Sequence, residues 1–143
     1  MGLSVERVKL LLGAVRQHRL YALFVLAATM GLRRGELLGL HWSDRVPLPP
    51  MAWEALKAHR GRQAEERLAA KRWEDHGLVF PTEVGTPMEP RNLNRLWASL
   101  RTKVGMEDVK LHDLRHTMVT LLLDLGTAPH IVQAVGKLGD RLG

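Results

Sequence analysis

The sequence predicts a mainly α protein, built as a single compact helical domain over residues 1–143. Three observations carry that expectation. Apolar residues recur at spacings of three and four along most of the chain, which lines one face of a helix. One stretch, residues 20–30, is apolar on nearly every side and reads as a helix buried all round. Gly31, Gly105 and Gly126 stand where such stretches stop, and no repeat or long linker divides the chain. At 143 residues the chain is long enough to bury a real hydrophobic core.

The elements follow in order. Ser4 is the expected N-cap of a first helix over residues 5–17, with Val5, Val8, Leu11, Leu12 and Val15 on its apolar face. A second helix over 20–30 is the expected centre of the core, ended by Gly31. A short third helix is expected over 33–42. Pro47, Pro49 and Pro50 rule out regular helix across 44–50, because proline lacks an N–H and its ring blocks the preceding turn. The helical pattern resumes over 51–72, first amphipathic and then strongly charged, with Gly61 as a candidate interruption. Leu78, Val79 and Phe80 suggest a short strand or buried extended segment closed by Pro81, and 82–90 is rich in turn formers. Leu93, Leu96, Trp97 and Leu100 mark a helix over 91–104. A helix carrying His112 is expected to reach 125, with Gly126 at its C′ position, and a last helix covers 128–136. The sum is six or seven helices with at most one short strand pair.

Composition narrows the function classes. There is no cysteine, so disulfides and thiolate zinc sites are excluded. The apolar run at 20–30 is too short to span a bilayer and no small-residue cleavage site follows it, which argues against a membrane segment or signal peptide and for the cytoplasm. The formal net charge is +6, and excess Lys and Arg attract polyanions such as nucleic acid. The basic residues between 57 and 72 alternate with acids, however, and read as a solvated helix face. The four tryptophans are scattered and read as packing residues.

Two clusters carry candidate chemistry. Arg33 and Arg34 stand in tandem at a helix start, directly after the buried helix, where a basic pair is placed to clamp a phosphate. Glu36 is positioned to pair with either; the plain alternative is a solvent-facing ion pair on a turn. His112 and Arg115 lie three apart on the first turn of a helix and so share a face. Unpaired N–H groups and the helix dipole favour an anion there. The plain alternative is a helix end satisfying only itself, with Asp113 complementing the dipole. His112 and His116 have metal-ligand spacing without a clear set of partners, and no metal or cofactor is expected. Residues 121–135 read as a helical hairpin or, less commonly, a helix-turn-helix.

Taken in order, the two clusters resemble the catalytic domain of the tyrosine recombinases, the phage integrase family. Residues 20–44, which contain Ala-Thr-Met-Gly-Leu-Arg-Arg-Gly-Glu-Leu-Leu-Gly-Leu-His-Trp-Ser-Asp at 28–44, are similar to the family's first Arg box, and 111–126 to its His-x-x-Arg box. Val46-Pro47-Leu48 and Leu78-Val79-Phe80-Pro81 fit the usual run between them. The resemblance implies attack by a tyrosine on a DNA phosphodiester, without metal or nucleotide. It implies Arg33 and Arg115 as stabilisers of the charged transition state, with Arg34 the adjacent alternative to Arg33, and His112 as a proton-transfer and phosphate-contact residue.

Three departures qualify that picture. The single tyrosine, Tyr21, precedes Arg33 and cannot occupy the nucleophile's position. The family's Leu-Gly-His box is broken: residues 133–140 offer Lys137 with one deletion, or Asp140 with two insertions. The family's lysine-bearing β-hairpin reads as largely missing, since Asp44 runs straight into Arg45-Val46-Pro47 and no lysine lies between Lys9 and Lys57. The expectation is therefore a truncated integrase-like catalytic domain for DNA integration and site-specific recombination. It binds DNA phosphate through Arg33, Arg34, His112, Arg115 and Lys137 and is unable to cleave alone. Expected partners are DNA, a full-length recombinase, or a second copy of the chain, and no membrane. The alternative is a non-enzymatic DNA-binding or regulatory module that interacts with full-length recombinases.

Overall fold

Residues 22–29 offer no polar face to water, so other elements must cover them from several sides. The computed structural model describes residues 4–115, the Arg115 side chain excepted. Over that span the helices are α1 (Val5–Ala14), α2 (Tyr21–Met30), α3 (Arg34–Leu38), α4 (Pro50–Ala69), α5 (Pro90–Lys103) and α6 (Leu111–Arg115). α2 packs against α1, α3, α4 and α6, and α3 also meets α5. Ala22 through Thr29 are buried without a break, and the Thr29 hydroxyl donates back to the Val25 carbonyl at 2.7 Å. That bond removes the one polar side chain of the buried stretch from competition with water.

The expected faces match what is buried. Ser4 caps α1, its Oγ accepting the Arg7 N–H at 3.2 Å, and Val5, Val8, Leu11, Leu12 and Val15 are in the core. On α5, Leu93 and Trp97 are buried while Leu96 and Leu100 pack against the core from its edge. α4 runs unbroken through Gly61.

The larger boundary differences fall in α1, α3 and α4, while α2 and α5 are shifted by a single residue. α1 stops at Ala14 rather than 17, and turns lead into α2. α4 begins one residue earlier, at Pro50, because the first helical position needs no N–H donor, and it ends at Ala69 because Ala70 turns extended. α3 ends at Leu38 rather than 42. The backbone of 40–42 is committed elsewhere: the Trp42 N–H donates to Gly77 O and the Val79 N–H to Leu40 O, both at 2.9 Å. An isolated antiparallel bridge, His41 to Leu78, is what remains of the expected strand pair, and no strand is present among the described residues. The expected course of the His112 helix to 125, the Gly126 turn, the 128–136 helix and the 121–135 hairpin lie outside the described residues.

The charged helix α4 hides a group that its sequence does not announce. His59 is buried, and its Nε2 donates to Val79 O at 2.6 Å, a carbonyl that also accepts from Gln63 Nε2 at 3.1 Å. A carbonyl can only accept, so the proton sits on Nε2, and Nδ1 has no hydrogen-bond partner among the described residues. Nearby, Arg19 forms a two-pronged ion pair with Glu66 (2.6 and 3.0 Å) and donates to Pro81 O. Burial pushes the His59 pKa below its ordinary 6.5, opposed by the bond to Val79, with the Arg19 charge adding to the depression. His18 is lowered too, first by burial and then by Arg19 and Lys103.

A depressed histidine pKa means that the unfolded chain binds the proton first. Stability is then full above the ordinary value near 6.5 and falls as pH drops below it. The urea midpoint is expected to decrease between about pH 7.5 and about pH 5.5, and His59→Leu to flatten that decrease. A wild-type midpoint that does not move over this range contradicts the assignment.

Candidate functional site

The turn after α2 aims the first basic pair. Gly31 takes φ 65°, a left-handed conformation that costs other residues about 1–2 kcal/mol, and it ends α2. Leu32 packs on the core, Arg33 is extended, and α3 starts. Glu36 Oε1 accepts the Arg33 backbone N–H at 2.8 Å, one half of a capping box; an arginine side chain has no acceptor with which to complete the other half. The Glu36 carboxylate is thus engaged with backbone, not with a guanidinium as the sequence suggested. Leu37 and Leu38 sink into the core and fix α3, while Arg33 and Arg34 stay exposed. Neither guanidinium has a hydrogen-bond or ion-pair partner among the described residues.

A second basic group arrives from the segment between α5 and α6. Val109 O accepts from Trp97 Nε1 at 2.9 Å and from Arg101 Nη1 at 3.1 Å. The Trp97 ring packs 5.3 Å from the Phe24 ring of α2, so this tether is anchored in the core. Met106 and Val109 are buried, and Arg7 of α1 grips Asp108 with two bonds of 3.0 and 2.8 Å. The hydrogen bonds from Arg7 and its charge hold the Asp108 carboxyl below the usual carboxylate range. Lys110 stands immediately before α6, and Asp113 Oδ2 accepts its N–H at 2.8 Å, repeating the arrangement at Arg33 and Glu36. Leu114 is fully buried and seats α6.

These elements enclose a cleft of about 640 Å³. Arg33 and Arg34 line it from the start of α3, His112 and Lys110 from the start of α6, and Asn94, Trp97 and Arg101 from one stripe of α5. Four permanently cationic side chains therefore share one cavity, and no carboxylate lines it among the described residues. Such a surface attracts anions, and the three arginine forks suit phosphate oxygens in pairs.

The structure thus brings together Arg33, Arg34 and His112 from opposite ends of the sequence. The Arg115 side chain and Lys137 lie outside the described residues. Arg101 and Lys110 were missed by sequence reasoning; the available signal was the 94, 97, 101 spacing, which puts all three on one face of α5. Tyr21 is half-buried at the first position of α2 and does not line the cleft. The tryptophans do pack: Trp42 donates to Gln63 Oε1 at 2.9 Å and carries the Arg60 guanidinium over its ring, and Trp73 carries that of Arg67. Among the described residues no group of three or more metal-ligating side chains converges, and no helix is long and apolar enough to cross a membrane.

Comparison with known proteins points to one family. Residues 3–137 match the model of the phage integrase family. A tyrosine recombinase XerC-like protein of Caldanaerobacter subterraneus is 31% identical, over 86% of this chain and 43% of its own. An integrase of Streptomyces ambofaciens is 36% identical over 82% of this chain and 32% of its own. An integrase of Saccharopolyspora erythraea is 34% identical over 61% and 20%. The chain therefore spans less than half the length of these curated relatives. The first alignment runs over 169 positions, more than the 143 residues of this chain, so that relative carries residues inside the matched span with no counterpart here. No solved structure matches the chain.

The shared carbonyl gives a test of the tether. Trp97→Phe or Arg101→Gln alone leaves Val109 O with one donor, whereas both together leave a buried carbonyl bare, at a cost of about 1–3 kcal/mol. Thermal or urea unfolding of the double variant is expected to show a loss larger than the sum of the single losses. Strict additivity contradicts a shared acceptor.

Proposed function

This chain belongs to the phage integrase family, and from that premise we propose that it carries the recombinase catalytic-domain elements whose cationic cleft grips the DNA backbone. Arg33 and Arg115 are the guanidinium forks that hold the non-bridging oxygens of a phosphodiester, with Arg34 beside Arg33 and Lys137 as a further DNA contact. His112 contacts the same phosphate and is the residue suited to move a proton there. The observation that carries this reading is the meeting of Arg33, Arg34 and His112 on one cleft with no lining carboxylate among the described residues. Preorganised positive groups of this kind lower the energy of a phosphorane-like transition state, because charge increases on the oxygens they already face.

The same reading makes the chain inactive in strand cleavage by itself. Covalent cleavage needs an attacking hydroxyl next to the phosphorus. The one tyrosine in these 143 residues, Tyr21, is half-buried on α2 and outside the cleft lining. The lysine that resemblance assigns to a hairpin before Val46 is absent as well, and the extra residues of the XerC-like relative within the matched span are in keeping with such a deletion. The working partner is DNA, in the cytoplasm, with cleavage dependent on a tyrosine from outside these 143 residues, such as one brought by a full-length recombinase. A second copy of this chain would provide the cleft but no nucleophile.

Incubation with supercoiled DNA is expected to give neither nicked product nor a covalent protein–DNA adduct. Filter or fluorescence binding at low salt is expected to show affinity that weakens as salt rises, with Arg33→Ala reducing the slope of log K against log salt by about 1. Arg115→Lys is expected to weaken binding although it keeps the charge, because the bidentate fork is lost. A covalent adduct overturns the inactive assignment, and salt-independent or absent binding overturns the cleft assignment.

A further inference from the structure

We propose that the cleft holds a run of neighbouring DNA phosphates rather than one, with Arg101 and Lys110 as the contacts to a second phosphate. The inference rests on the reading of the cleft as a DNA-backbone site and extends it to two residues outside the recombinase motifs.

Charge balance is the first argument. A phosphodiester carries one negative charge and offers two non-bridging oxygens. Arg33, Arg34 and His112 already supply enough donors for it, yet Arg101 and Lys110 bring two more permanent charges into the same cavity. Four like charges in one cleft repel unless several anions are present, and a nucleic-acid strand supplies one every 3.4 Å of rise. The cavity, about 640 Å³, is in the size range of sites that take an extended organic ligand and far exceeds what a single ion fills.

Geometry is the second argument. Arg101 and Lys110 reach the cleft from α5 and from the residue before α6, whereas Arg33 and Arg34 reach it from α3. Their placement is built, not incidental. Arg101 spends one Nη on Val109 O, which orients its guanidinium and leaves its other N–H groups unused by any described residue. Lys110 is held through its backbone by Asp113, and its ammonium makes no bond to a described residue. One residue of the pair has a fork for an oxygen pair and the other a mobile point charge, a combination that follows a backbone without reading bases.

The test is the salt dependence of binding to a short duplex, compared for the wild type, Arg33→Ala, Lys110→Gln, Arg101→Ala and, as a control on the solvated face of α4, Lys57→Gln. Thermal melting checks each variant; Lys110→Gln is the deciding one, because it breaks no side-chain bond to a described residue. The expected result is a slope smaller by about 1 for Lys110→Gln and again for Arg101→Ala, with Lys57→Gln unchanged. A reduced slope for Arg33→Ala with wild-type slopes for Lys110→Gln and Arg101→Ala overturns the second-phosphate assignment and leaves the cleft reading intact. A slope unaffected by Arg33→Ala overturns the cleft reading, and this inference with it.

Discussion

A helix without a polar side has to be enclosed, and α2 is such a helix. Ala22 to Thr29 are removed from water, at roughly 25 cal/mol for each Å² of apolar surface buried. Enclosing it recruits α1, α3, α4 and α6. Two of those four, α3 and α6, are only five described residues long and are held by one or two buried anchors, Leu37 with Leu38 on one and Leu114 on the other. Their starts carry the basic residues. Burial of one apolar element thus brings together side chains nearly eighty residues apart, and the electrostatic character of the cleft follows from hydrophobic packing.

What keeps the cationic groups from collapsing onto acids is local backbone bonding. Glu36 and Asp113 lie three residues after Arg33 and Lys110, and each is occupied by the backbone N–H of that basic residue. The acids stabilise the helix starts and leave the guanidinium groups of Arg33 and Arg34 and the ammonium of Lys110 without a described partner. The repeated device at both helix starts is a physical reason why so small a domain can hold four cations around one cavity. Positive charges held close together destabilise the unliganded protein, and an anionic ligand relieves that repulsion.

Patterns within one element were legible in the sequence, and those set by distant partners were not. The α2 core, the faces of α1 and α5 and the Gly31 stop follow from local composition and spacing. The early end of α3 depends on pairing between 40–42 and 77–79, which no local rule encodes. His59 looks like one more polar residue on a charged helix, and only the Val79 carbonyl twenty residues away explains its burial. The motif residues Arg33, Arg34 and His112 could be named in advance because a long-known pattern marks them. Arg101 and Lys110 are ordinary surface charges in sequence, and only the tether at Val109 reveals where they point.

The central claim is that DNA phosphate is held in the cleft between α3, α5 and α6. Side-chain NMR of the ¹⁵N-labelled protein, titrated with a short duplex, tests it most directly. The account predicts that the guanidinium signals of Arg33, Arg34 and Arg101 and the ammonium signal of Lys110 shift together and saturate at one DNA concentration. Shifts confined to Lys57, Arg60 and Arg62 on α4, with the cleft signals unmoved, would contradict it.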